Sequence, residues 1–290
     1  MYSSTKWNYF DTILAIILST LLVTIGSLFF AILFELKFSQ NDNLLSQDGK
    51  ILLALLLLGI IIFITKIFNL PYINLILWVS VWTIFSLFFV ISGVKINNEI
   101  YFYNFSLEII CSCLLSVLFL FPAVNLSIVK YGSNLWNFGF RKTKIEYFLS
   151  GIFYWIISLF IIAIWGWLIE TLSLDFLLPP NSAKEVLKLA FENIFITIIL
   201  VSIIVPICEE IFFRGFLING LKKKFNIKYS LVISSIIFSF FHINIGSLFP
   251  TFILGICLGF IFIKSKSIYP SIFIHSMHNF LAVIISKFYL

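Results

Sequence analysis

Two uncharged runs, Ile13–Phe34 and Tyr72–Val94, decide most of what this chain can fold into. Each is longer than the roughly 18 apolar residues that carry a helix across a bilayer. The rest of the chain has the same character: 61% of residues are hydrophobic, 11% are charged, and the mean hydropathy is +1.11. A soluble globular domain is excluded, because so few polar residues cannot furnish a surface that faces water. The fold expected is all-α, a polytopic transmembrane helical bundle.

Nine apolar segments divide the 290 residues: about 11–34, 51–66, 72–94, 107–129, 146–168, 190–220, 229–243, 249–263 and 269–288. With the weaker short segments in mind, about eight to nine membrane helices are expected. The first run is too long for the core of a signal peptide, so it reads as a retained span. If the loops alternate from an inside N-terminus, twelve basic residues fall inside and six outside, with Arg214 left within a span. That bias predicts a cytoplasmic N-terminus and an outward C-terminus, in a multi-pass protein of the cell membrane. The basic linker "KYGSNLWNFGFRKTK" separates N-terminal membrane helices (1–130), which carry no motif, from a C-terminal helical core (145–290). Farther on, "NSAKE" after Pro179–Pro180 reads as the N-cap of a further helix.

The formal charge of +6 follows from the lysine bias of the loops, so it points to the bilayer and not to nucleic acid. Cys111, Cys113, Cys208 and Cys257 all lie in apolar runs. Cys111 and Cys113 are two apart, on nearly opposite faces of a helix, and cannot chelate together. No zinc-ribbon or disulfide pattern is present, and the four read as small buried hydrophobes.

Against this background "PICEEIFFRGF" stands out. Each ionisable side chain in a membrane helix costs about 2.5–3.5 kcal/mol on insertion scales unless it is paired inside the bundle. Glu210 and Arg214 are spaced i,i+4, on one helix face and within ion-pair reach. Glu209 is rotated about 100° from Glu210, so the arginine serves it less well. Glu210 and Arg214 therefore read as a structural ion pair, with Glu209 as the carboxylate left for chemistry.

All three histidines lie in the last third of the chain: His242 at the end of "FSFFH", and His275 and His278 in "HSMHN". His275 and Asn279, spaced i,i+4, can present side chains to one point. At helical rise, Glu209 lies roughly 20 Å above the Lys222 boundary and His242 roughly 21 Å above Lys228. His275 and Asn279 lie roughly 10–17 Å above Ile268. Three helices thus bring a glutamate, a histidine and a His–Asn pair to overlapping depths. Gly255 and Gly259, in "GICLG", have the small-xxx-small spacing that lets membrane helices touch, and are assigned no chemistry.

In this order, "EEIFFR", "FSFFH" and "HSMHN" resemble the EExxxR, FxxxH and HxxxN motifs of the CAAX-processing and bacteriocin-processing (Abi) family of intramembrane proteases, which includes the CAAX prenyl endopeptidases. The matching residues are Glu209, Glu210 and Arg214; Phe238 and His242; His275 and Asn279. The resemblance covers about residues 145–285. It implies an intramembrane endopeptidase that hydrolyses a peptide bond of a membrane-associated or lipidated peptide or protein. By carry-over, Glu209 with His242 would activate the attacking water, and His275 with Asn279 would stabilise the oxyanion, with no cofactor. The elementary chemistry agrees: hydrolysis needs a general base and preorganised donors for the tetrahedral oxyanion. The same side chains allow an alternative, since Glu209, His242 and His275 form a set of the kind that binds catalytic zinc.

Two non-hydrolytic readings compete. A proton-coupled transporter would spread polar residues along a path through both halves. Here the first four apolar segments are nearly free of ionisable residues. A non-catalytic immunity or scaffold protein could bind a peptide with the same groups. The topology is tested by single-cysteine labelling on a cysteine-free background. A probe at Lys223 should react from the cytoplasmic side and one in "HINIGS" from the other; external labelling at Lys223 would overturn the topology and the depth argument with it.

Overall fold

The computed structural model describes residues 5–38, 116, 119–177, 194–242 and 245–288. Every regular element among the described residues is helical, as expected. Among the described residues seven helices are seen. They are α1 (Tyr9–Phe38), α2 (Phe119–Val129), α3 (Ile145–Thr171), α4, α5 (Ile227–Phe240), α6 (Ile245–Ser265) and α7 (Ile268–Phe288). Of these, α3, α6 and α7 are long and apolar enough to cross a membrane. The expected spans 51–66 and 72–94, most of 107–129, the "NSAKE" cap, Cys111 and Cys113 lie outside the described residues.

The helix α4 runs without a break from Ile194 to Leu221, and its backbone is mixed. Turns of α-helix (Ile194–Thr197, Val205–Glu210, Asn219–Leu221) alternate with wider π turns (Ile198–Ile204, Ile211–Ile218). The uniform rise used to place Glu209 above Lys222 therefore does not hold across Ile211–Ile218. Side-chain donors from several directions reach the α4 carbonyls. Ser234 Oγ donates to Phe213 O (3.1 Å), Trp7 Nε1 to Phe216 O (3.1 Å) and Asn279 Nδ2 to Val201 O (2.9 Å). Nearer its end, Asn219 Nδ2 donates to Gly215 O (2.6 Å) and Thr5 Oγ1 to Asn219 O (3.3 Å). Wide turns of this kind are rare and are stabilised by such outside partners.

Local chemistry sets the helix ends. Asn8 and Asp11 form a reciprocal cap at the start of α1, each side chain accepting from the other's backbone N–H at 2.9 and 3.1 Å. Asp11 also accepts from Lys130 Nζ and Tyr131 Oη, both at 2.7 Å, which ties α1 to the end of α2. The Asn226 side chain caps α5 by accepting from Tyr229 N at 3.0 Å. In the linker, Gly139 at φ 95° turns the chain so that its carbonyl accepts from Ile268 N at 2.8 Å. Helix α6 begins at Ile245, four residues before the expected start at 249, and takes Pro250 into its body. Within "HINIGS", Ile245, Gly246 and Ser247 thus belong to helix.

Packing centres on α4. Phe212, Phe213, Phe216 and Leu217 are buried together with Trp7, Ala15, Phe119, Ala123 and Phe138. Residues from the N-terminal half and the linker thus share one apolar core with α4. Close approach of α5 and α6 depends on the two expected glycines. A Cβ on Gly255 would lie 3.1 Å from Ser235 Cβ, and one on Gly259 would lie 2.4 Å from Leu231 Cδ1. Helix α3, in contrast, points Phe153, Phe160 and Trp167 outward, as a lipid-facing span should.

Trp7 is the key of the N-terminal dock: fully buried, stacked on Phe216 at 5.1 Å and bonded to its carbonyl. Trp7→Ala should lose about 3–5 kcal/mol. Trp7→Phe keeps a ring and leaves the carbonyl its bond from Asn219 N–H, so it should lose only about 0.5–1.5 kcal/mol, the net worth of one hydrogen bond. Thermal melting of the detergent-purified variants reads this ranking directly.

Candidate active site

Glu209 and Glu210 end an α turn of α4, and Arg214 lies in the π turns that follow. Arg214 Nη1 is 3.0 Å from Glu210 Oε1, and the two side chains are only 1% and 0% exposed. The expected ion pair is therefore present and fully buried. The guanidinium has two further neighbours: Nη2 donates to Gly255 O at 3.3 Å, and its carbon lies 4.6 Å from the centre of the Phe238 ring. The carbonyl of Gly255 thus does more than the close packing assigned to it from sequence.

His275 completes the cluster from α7. Its Nδ1 is 2.9 Å from Glu210 Oε1 and its Nε2 is 3.6 Å from Glu209 Oε2. Glu210 is thus a partner of the histidine as well as of the arginine, which the spacing alone did not reveal. Because Glu210 accepts, His275 Nδ1 carries a hydrogen. Nε2 then meets Glu209 favourably only when a proton lies between them.

Glu209 has 19% of its side chain exposed, and the exposed part faces a cavity. That cavity, about 150 Å³, is lined by Val23, Ser116, Phe119, Glu209, Phe213, Phe241 and His242. A polar cavity of this size holds several waters. Glu209 and His242 meet through this space rather than through a hydrogen bond. His242 Nδ1 donates to Phe238 O at 2.9 Å, which leaves Nε2 as the acceptor in the neutral ring. Phe238 also packs edge-on against both histidine rings, 4.8 Å from His242 and 5.8 Å from His275.

Asn279 is engaged elsewhere, through its bond to Val201 O on α4. One amide hydrogen is used there; a primary amide has two. His278 points to α3, where it accepts from Trp155 Nε1 at 3.2 Å. Trp155 could have been suspected from sequence only on the general ground that a buried indole N–H needs an acceptor. Val23, Ser116 and Phe119 were not legible at all, being ordinary residues of motif-free segments. Cys208 and Cys257 are buried free thiols, in keeping with the expectation for them.

Glu209, His242 and His275 do not converge as a ligand set. Among the described residues no group of three His, Cys, Asp or Glu is placed to hold a metal ion. His275 instead directs both ring nitrogens at carboxylates.

Comparison with known proteins fits this geometry. Residues 191–281 match the family model of the type II CAAX prenyl endopeptidase Rce1-like proteins. That region is thus similar to the CAAX-protease family. It contains every motif residue, from Glu209 to Asn279. The chain is also 37% identical over 87 residues to the "Putative membrane peptidase YdiL" of Bacillus subtilis (strain 168). The aligned stretch is 30% of this chain and 36% of that relative, so the chain spans about a third of the relative's length. No solved structure gives a significant match.

Arg214→Ala should chiefly reduce folding and abundance, since it leaves Glu210 buried without its cation. Breaking a buried pair in this way costs about 3–5 kcal/mol. The check is thermal melting beside activity. A variant that melts like the parent but has lost activity would move Arg214 from the scaffold into the chemistry.

Proposed function

We propose that this chain is an intramembrane endopeptidase that hydrolyses a peptide bond of a membrane-associated or lipidated peptide. It is read as a multi-pass protein of the cell membrane with eight to nine helices and a cytoplasmic N-terminus. The observation that carries the reading is Glu209: one face of it lies against His275 in a buried cluster, and the other faces a cavity with room for several waters, shared with His242. The family-model match of residues 191–281 and the similarity to a putative membrane peptidase support the same activity.

In the proposed cycle a water in the cavity, held by His242 Nε2 and Glu209, gives a proton to Glu209 as its oxygen attacks the substrate carbonyl carbon. The carbonyl π electrons become the oxyanion. Neutralising Glu209 weakens its hold on the His275 Nε2 proton, and that donor turns to the oxyanion. The second amide hydrogen of Asn279 supplies the other donor. The tetrahedral intermediate then collapses, the C–N bond breaks, and the proton on Glu209 passes to the leaving amine. The charge count of the site is thus preserved throughout, which suits an apolar interior.

Glu209→Gln should abolish cleavage, and Asn279→Ala should lower the rate about 10²–10³-fold, the effect of losing one oxyanion donor. The measurement pairs rates with metal content of active, detergent-purified protein. Cleavage by metal-free protein would support the assignment of Glu209 as base. Stoichiometric zinc with a mild Asn279→Ala effect would replace it with the zinc site of Glu209, His242 and His275. A protein with no peptidase activity on any membrane peptide tried, yet binding one, would make it a peptide-binding scaffold.

A further inference from the structure

We propose that Ser202 of α4 is a further substrate-binding residue, whose hydroxyl holds the main chain of the bound peptide beside Asn279. The inference rests on the reading above, in which a peptide occupies this site. Ser202 is 2% exposed, and its Oγ is fully buried with no hydrogen-bond partner among the described residues. A serine inside a helix ordinarily donates to the carbonyl three or four residues back. Ser127, Ser158, Ser235 and Ser271, all as deeply buried, do so. Ser202 lies in the wide turns Ile198–Ile204, and no carbonyl of its own helix takes it up.

The fold sets this hydroxyl beside the candidate site. Asn279 Nδ2 donates to Val201 O at 2.9 Å, and that carbonyl belongs to the peptide group joining Val201 to Ser202. Ser202 therefore begins within one peptide unit of the Asn279 amide. Ile199 and Ile203 turn outward, at 50% and 46% exposed. The same turns pack on α7, the helix of His275 and Asn279.

Ser202 precedes Glu209 by two helical turns, so the two lie on roughly one face of α4, about 10 Å apart. An extended peptide covers that distance in about three residues. A chain laid between α4 and α7 with its scissile bond at Glu209 therefore brings its main chain to Ser202 about three residues away. Asn279 lies between the two levels.

A buried hydroxyl that meets no partner lowers stability, and stability alone would favour alanine here. Local rules broken in this way mark functional positions, where a ligand completes the structure. The ligand that fits is a peptide main chain. Its N–H and C=O groups lose their water on entering the bundle and need partners there. A hydroxyl both donates and accepts, so it can meet either group whatever the side chains are.

The test uses the full chain in dodecyl maltoside and a fluorescein-labelled, palmitoylated peptide. Its binding is read by fluorescence anisotropy on the Glu209→Gln background, and its cleavage on the parent. Ser202→Ala removes an unmet polar group, so it should melt no lower than the parent. It should nevertheless bind the peptide about 3–10-fold more weakly, the net worth of one hydrogen bond, with the loss appearing in KM rather than kcat. Replacing the peptide's amides one by one with esters should find one bond, away from the cleaved one, that matters to the parent but not to Ser202→Ala. Equal affinity in Ser202→Ala, a lower melting temperature, or an ester effect that persists in it overturns the proposal. A parent that binds the peptide without cutting it overturns the peptidase reading alone, because the Ser202 comparison is read from binding. A parent that neither binds nor cuts it overturns both.

Discussion

The contact on which the rest depends is the buried one between Arg214 and Glu210. An ion pair removed from water is tolerated only if its remaining donors and acceptors are met. Several of the groups around the pair dictate a neighbour, although Glu210 Oε2 makes no hydrogen bond. A second carboxylate, Glu209, lies beside the pair, and His275 from α7 sets one ring nitrogen against each of the two glutamates. The spare guanidinium nitrogen needs an acceptor, and the Gly255 carbonyl on α6 provides one. Phe238 from α5 covers the face of the guanidinium. Four helices are fixed relative to each other by the needs of one arginine.

The same logic explains why α4 is not an ordinary helix. A straight α-helix keeps its backbone hydrogen bonds to itself, which suits a span surrounded by lipid. Helix α4 exposes Phe195, Ile199 and Ile203 near its start but is buried by protein from Phe212 to Leu221, and side chains from α5, α7 and the segment before α1 reach its carbonyls. The wide turns open those carbonyls to the donors and set the azimuth of the glutamates and the arginine. Gly215 and Gly220 complete the fit: a Cβ would lie 2.9 Å from Phe138 O at the first and 1.9 Å from Thr12 Oγ1 at the second. The helix that carries the chemistry is thus shaped by contacts at its far end, more than two turns away.

Much of this was legible in the sequence. Hydropathy alone indicates an all-helical membrane protein, because apolar runs of that length have few other solutions. The cost of ionisable groups in lipid singles out Glu209, Glu210, Arg214 and the histidines, and i,i+4 spacing pairs Glu210 with Arg214 correctly. Spacing within one helix says nothing about which residue of another helix arrives. For this reason the bond from His275 to Glu210 was missed, as was the bond from Asn279 to Val201 O. The π turns were equally hidden, since "IFFRGFLI" has no composition that marks it against an ordinary apolar helix. They arise from tertiary donors, and those are a property of the assembled bundle.

The cavity divides along the same line. Its polar groups, Glu209 and His242, belong to the stretch that matches the family model, whereas Val23, Ser116 and Phe119 belong to segments that precede it. The two sets have different physical tasks. Proton transfer admits few side chains and tolerates little displacement, so its residues form a motif. A wall must be apolar and of the right shape, which excludes bulk water and lowers the local dielectric, and many residues can do that. Shape is nevertheless what a substrate meets first on entering the cavity. On the proposed peptidase reading, the choice of peptide would be set largely by α1 and the residues at the start of α2, where the sequence carries no motif, while the bond-breaking step would be set by α4, α5 and α7, where it does.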